Sequence, residues 1–305
     1  MYAAPPSIKT EVFARIPDKY RKRGQLSAER LTAGKGTTET DVFIEGPSFD
    51  LQGNLYLVDI AFGRIFRINP SGDVEVVAEY DGEPNGLKIH RDGRIFIADH
   101  KCGILLLDPD KGTVTPVVER YLTERLKGPN DLVIARNGDI YFTDQGQSSV
   151  NDATGRVYRL ESGERLLRVV DGIPSPNGIV MNPSERMLYV AVTRTNQIWR
   201  GALLPDNTIT RVGVFVQMSG GTGPDGMAMD AAGNLLVAHA GAGLVWKFSP
   251  TGIPLLRIDS SQGHMTTNVA FGGKDNKQLY ITESESGCVL VADMDTPGQP
   301  MHSHS

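Results

Sequence analysis

The sequence predicts an all-β fold: a six-bladed β-propeller with four antiparallel strands per blade. Three observations carry that expectation. One pattern recurs six times: a turn, a short apolar strand, a Gly-bearing turn and a second apolar strand. The turns at Gly53 and Gly93 lie 40 residues apart, and those at Gly93 and Gly138 lie 45 apart. That period suits one four-stranded blade. No long stretch carries a 3.6-residue apolar period, so major helices are not expected.

The copies open at Glu45-Gly46-Pro47, Pro84-Asn85-Gly86, Pro129-Asn130-Asp131, Pro176-Asn177-Gly178, Pro224-Asp225-Gly226 and Thr267-Asn268-Val269. The second copy displays a whole blade. Its apolar runs Gly86–His90, Arg94–Ala98, Ile104–Leu107 and Thr113–Val118 are separated by Asp-, Gly- and Pro-rich turns. Lys9–Ile16 is expected to add a strand to the last blade and close the ring, leaving only short, protected edges. Residues 1–305 are read as a single propeller. Residues 17–40 are an extra segment and a candidate lid, and residues 296–305 are expected to form a flexible tail.

Composition narrows the function classes. A net charge of −5 argues against a nucleic-acid surface. No apolar run is long enough to span a bilayer. The start Met1-Tyr2-Ala3-Ala4 lacks the pattern of a secretory signal. Cys102 and Cys288 fall in non-neighbouring copies, so two free thiols and a cytoplasmic location are expected. An oligomer is not indicated. Gly34-Lys35-Gly36-Thr37 is not a phosphate loop, because Gly36 stands where Ser or Thr must follow the lysine.

The first strand of each propeller blade lines the central channel. The opening residues Glu45, Asn85, Asn130, Asn177, Asp225 and Asn268 are therefore expected to ring one mouth, each offering a side-chain oxygen. Asn and Asp also favour turns for local reasons, but Glu45 does not. Two carboxylates at close range repel unless a cation compensates, and all-oxygen donors suit calcium, magnesium or manganese. The loops after the second strands open on the same face. They carry Asp59, His100, Gln145, Thr193, His239 and Glu283 and suggest a pocket for a small polyhydroxylated ligand. His100 and His239 are candidates for proton transfer or for orienting substrate.

At these motifs, together with Phe271-Gly272-Gly273 and Leu279-Tyr280-Ile281-Thr282, the chain resembles the gluconolactonase, regucalcin and luciferin-regenerating-enzyme family of six-bladed propeller hydrolases. The resemblance implies that Glu45, Asn177 and Asp225 hold one divalent cation. Calcium comes first among the ions, with magnesium, manganese, zinc or iron(II) as alternatives. It implies that Asn130 and Asp225 serve catalysis, and that a sugar lactone or related small lactone binds among Asn85, Asn130, Asp131, His100, His239 and Asn268. The family's sugar-binding Arg has no counterpart, since Gly128 and Pro129 precede Asn130. Two other readings remain open: a non-catalytic, NHL-like interaction propeller, and a strictosidine-synthase-like or paraoxonase-like enzyme on the same fold. The former has no use for Glu at one ring position and Asp at another. The latter wants a late catalytic Glu, for which Glu283 or Glu285 is the candidate.

Overall fold

The computed structural model describes the chain except residues 1–3, 33, 163–164 and 207, so the opening of the expected non-signal start lies outside the described residues. Six sheets follow one another along the chain: five contain four consecutive antiparallel strands, and the sixth contains three consecutive strands completed by one from the N-terminus. Blade one runs from Ile44–Phe49 through Leu55–Asp59 and Arg64–Ile68 to Val74–Glu79. The innermost strands of the other blades are Pro84–Ile89, Pro129–Ile134, Pro176–Met181, Gly223–Met229 and Thr266–Gly272. Each packs on the next, and the sixth returns to the first. The second strands are the most buried: Leu55–Asp59, Ile95–Asp99 and Ile140–Asp144 are buried at every residue. The apolar faces of neighbouring blades interleave into a separate core at each blade junction.

Ring closure follows the expectation with one refinement. Glu11–Arg15 pairs antiparallel with Cys288–Asp293 as the outer strand of blade six. Ser7–Lys9 does not share that sheet; it runs parallel to Pro254–Asp259 as a fifth strand of blade five. Thr10 carries the chain between them, its hydroxyl hydrogen-bonded to Asp259 O and Ser261 Oγ. The N-terminus thus fastens two blades. Cys102 and Cys288 are both free. Among the described residues no helix is long and apolar enough to cross a membrane.

The tail is packed, unlike the flexible segment expected from its polar sequence. His302 and Ser303 are buried, and Ser303 Oγ donates to Phe49 O at 3.1 Å. Gln299 N donates to Met229 O at 2.8 Å. The tail closes the end of the channel opposite the ring of opening residues, where Gln299, Pro300, Met301 and His302 line a cavity of about 100 Å³.

Candidate active site

A local irregularity positions the site. In all six blades the register between first and second strands slips at the opening motif: between Glu45 and Ser48, Pro84 and Gly86, Pro129 and Leu132, Pro176 and Ile179, Pro224 and Met227, and Thr266 and Asn268. A bulge of this kind breaks the two-residue alternation and re-aims a side chain. Here it directs the opening side chains at the axis.

Glu45, Asn85, Asn130, Asn177 and Asp225 line one cavity of about 180 Å³, with Gly34, Lys35, Phe43, Ile60 and Gln145 completing the wall. Five of the six expected ring residues therefore meet. The sixth, Asn268, does not. The residue in register with Asn177 and Asp225 is Thr267, whose hydroxyl donates to Ile44 O at 3.1 Å and braces blade six to blade one. Asn268 sits one step deeper, level with Gly46, Gly86, Asp131, Gly178 and Gly226. Glycine at four of those positions leaves room at the axis for the two larger side chains. A Cβ on Gly226 would lie 2.0 Å from Asn268 Cγ, and one on Gly86 would lie 2.9 Å from Asp131 Oδ1. Asn268 Nδ2 donates to Glu45 Oε2 at 2.8 Å and approaches Asp131 Oδ2 at 3.5 Å. Asn268 and Asp131 are thus a floor beneath the cavity, not part of its wall.

The electrostatics follow from burial. Glu45 is pushed up to about 7, chiefly because it is removed from water and then because Asp131 is near; the Gly46 N–H and Asn268 partly offset this. Asp225 is raised well above the usual carboxylate range by burial, then by Glu45 and Asp131. Asp131 is raised by burial, and Lys88 opposes the shift. Three such groups ionise together only where a cation compensates. Asn130 adds a second sign of a missing partner. Its Nδ2 donates to Gln145 Oε1 at 3.0 Å, but its Oδ1 is buried with no hydrogen-bond partner. Among the described residues no three His, Cys, Asp or Glu side chains form a metal-holding cluster. Glu45, Asn177 and Asp225 contain two carboxylates and one amide, a donor set of oxygens alone. That chemistry, the unsatisfied Asn130 oxygen and the uncompensated carboxylates fit a hard divalent cation.

The two histidines do not join the cavity wall. His239 is buried with both ring nitrogens engaged: Nε2 meets Gly220 O at 2.9 Å and Nδ1 accepts from Trp246 Nε1 at 3.2 Å. Burial lowers its pKa. His100 packs on Gly128, where an added Cβ would lie 2.4 Å from its ring, and burial pushes it down to about 3. Most acids that end second strands are also committed elsewhere. Asp99 accepts the backbone N–H groups of Glu83, Lys101 and Cys102, and Asp144 accepts those of Lys127 and Gly128. Glu283 accepts those of Met265, Glu285 and Ser286. These carboxylates brace loops, so Glu283 is not a free catalytic acid. From those loops, Ile60 and Gln145 are the residues that reach the cavity.

Sequence reasoning missed Lys35. It comes from the segment between the closing strand and blade one. Arg30 pins that segment by donating to Ile60 O, Ala61 O and Gly82 O. Lys35 is buried against the cavity with its ammonium 3.1 Å from Glu83 Oε2. Neither a motif nor a periodicity marks it, although the conspicuous Gly34-Lys35-Gly36 was available as a signal.

Fold and cavity together define a six-bladed propeller whose candidate site lies at one mouth of its axial channel. The chain belongs to the SMP-30/gluconolactonase/LRE-like family, whose pattern matches residues 43–285. It is 32% identical over 257 residues to the lactonase drp35 of Staphylococcus aureus strain MW2, covering 79% of this chain and 78% of that one. A solved gluconolactonase from Xanthomonas campestris is 26% identical with a TM-score of 0.73, covering 94% of this chain and 98% of its own. A regucalcin from Agrobacterium tumefaciens, described as a calcium-binding protein, shares the fold at 20% identity and a TM-score of 0.79, covering 99% and 100%.

Proposed function

We propose that this chain is a lactonase, a hydrolase of carboxylic ester bonds, that uses one divalent cation and acts on sugar lactones or related small lactones. The observation that carries the reading is the pair Glu45 and Asp225. Both carboxyls line one cavity, Glu45 buried and Asp225 half-buried, and both have raised proton affinity. Membership of the family and the names of the lactonase and gluconolactonase relatives support the reaction class.

Glu45, Asn177 and Asp225 would hold the cation, with Asn130 Oδ1 facing the same space. Such an ion, when bound, polarises the lactone carbonyl and makes water a nucleophile near neutral pH. The chain's own residues do the rest. Asp225, a carboxylate on the wall of the same cavity, would also be the acceptor for the proton of the attacking water. Gln145 fixes the Asn130 amide so that its oxygen, not its nitrogen, faces the ligand. Asn85 and Lys35 offer donors to ring hydroxyls from the opposite wall. Water adds to the carbonyl carbon, the ring C–O bond breaks, and a hydroxy acid leaves.

The test is hydrolysis of a panel of aldonolactones and aromatic lactones by chelator-treated protein, read as proton release. Calcium, magnesium, manganese, zinc or iron(II) is then restored singly. Turnover restored by a metal supports the reading. A folded protein inert toward every lactone with every ion overturns it.

A further inference from the structure

Below the floor formed by Asp131 and Asn268, the channel has a third level. The residues three places after each opening position are Ser48, Lys88, Val133, Val180, Ala228 and Ala270, and all six line the lower cavity. Five are small or apolar. The sixth is a lysine. Its ammonium lies 4.0 Å from Asp131 Oδ1 and also donates to Leu87 O at 3.1 Å and Pro47 O at 3.5 Å. Two carbonyls therefore hold it on the axis, on the side of Asp131. It faces an acidic group drawn from three blades: Glu45, Asp131 and Asp225. No other lysine or arginine among the described residues forms an ion pair with any of those three.

We propose that Lys88 is a fixed counter-charge that sets the valence preference and affinity of the cation site; this rests on the cation-dependent reading above. Three ionised carboxylates alone would present −3 to the cavity and would favour a trivalent or doubly charged guest with little discrimination. With Lys88 the set presents −2, which one divalent cation neutralises. The chain of contacts is continuous: Lys88 to Asp131, Asp131 to Asn268, and Asn268 to Glu45 Oε2. Lys88 thus acts through position and charge without touching the substrate. Because these groups lie away from bulk water, salt screens their interaction weakly. Lysine suits the role because its charge is compact and its three donors can be shared between two carbonyls and one acid.

The experiment measures cation binding on chelator-treated, full-length protein. Calcium and manganese are titrated by calorimetry and terbium(III) by luminescence, in wild type, Lys88→Met, Lys88→Arg and Asp131→Asn. The expected result is tighter divalent binding by Lys88→Met, on the order of tenfold. Its gain for terbium should be larger, and Lys88→Arg should stay close to wild type. Asp131→Asn, which leaves −1, should bind every cation more weakly, and should Lys88→Met not fold, Lys88→Gln is titrated in its place with the same expected gain. A Lys88→Met protein with unchanged or weaker affinities overturns the counter-charge, as does an Asp131→Asn protein that binds as wild type does. A wild-type protein that binds none of the divalent ions overturns the cation-dependent reading itself, a result distinct from the other two.

Discussion

The two ends of the axial channel are built from the same six strands and have opposite characters. At the upper mouth the bulged positions carry Glu45, Asn85, Asn130, Asn177 and Asp225, two of them carboxylates with no cationic partner among the described residues, and the buried Asn130 Oδ1 lacks a hydrogen bond. Three residues further along the same strands, the wall is Ser48, Val133, Val180, Ala228 and Ala270 around one lysine, and the C-terminal tail closes it. The lower end is closed by apolar packing and backbone hydrogen bonds to the tail, and the buried polar atoms left without a partner there, Gln299 Oε1 and His302 Nδ1, belong to an amide and an imidazole and not to carboxylates. The upper end is not satisfied by the chain alone. Stability is given up where chemistry is needed and recovered where it is not.

The largest effect should come from removing that frustration. Asp225→Asn should reduce turnover on the order of 10³-fold, because a ligand and proton acceptor become a neutral amide. The same change should stabilise the metal-free protein by about 1–2 kcal/mol, because an uncompensated buried carboxylate disappears. Thermal melts in chelator and lactone hydrolysis with added metal check the pair of outcomes. A loss of activity accompanied by a lower melting temperature would mean that Asp225 is a structural brace, and the contrast between the two ends would fail.

Next in size is Gly226→Ala. The new methyl would meet Asn268 at a distance no packed carbon tolerates. Over-packing of this kind costs about 1–3 kcal/mol. Here it should also push Asn268 away from Glu45, so activity should fall further than a stability loss explains. By contrast, Ala228→Ser, two residues along and in the lower cavity, should alter neither by a measurable amount. Steady-state kinetics at a temperature where both variants are fully folded separates the two cases.

A smaller effect is expected at Lys35. Its ammonium, paired with Glu83, lies in the same cavity wall as the candidate metal ligands. Lys35→Met should raise KM about tenfold and change kcat little, the signature of lost uniform binding. A drop confined to kcat would instead place Lys35 in the chemical step.

The fold was legible because each turn is written in residues with few alternatives. Gly53, Gly93, Gly138 and Gly233 all adopt positive φ at the expected turns. Five ring residues were legible for the same reason, since Pro-Asn-Gly and its variants mark one backbone event. Asn268 was misplaced by one step because Thr267-Asn268-Val269 lacks the glycine that sets the register in four other blades. A single-residue slip is invisible to composition yet moves a side chain from wall to floor. The braces Asp99, Asp144 and Glu283 look like ligands in a sequence, because the backbone N–H groups that occupy them belong to loops whose shape is not yet known. Lys35 and the tail carry no periodicity at all. Their positions depend on tertiary contacts such as Arg30 with Ile60 O and Ser303 with Phe49 O.

The smallest effect tests the lower end. His302 Nε2 accepts from Arg91 Nε at 3.1 Å, its ring lies 4.5 Å from His90, and its Nδ1 is buried without a partner. Burial, with His90 and Arg91 adding and Asp92 opposing, lowers its pKa from 6.5 to about 4. The folded state therefore binds fewer protons here than the unfolded state between those values. The stability His302 contributes is present in full above pH 6.5 and is lost as pH falls toward 4. Protonation would place a proton on Nε2 against the Arg91 guanidinium, so the tail should loosen before the blades do. Hydrogen-exchange protection factors at residues 299–304 should fall between pH 6.5 and 4 while Leu55–Asp59 stays protected, and His302→Phe should flatten that dependence. Equal loosening at both ends of the channel would show that acid acts on the propeller as a whole and that the tail is not a separately held plug.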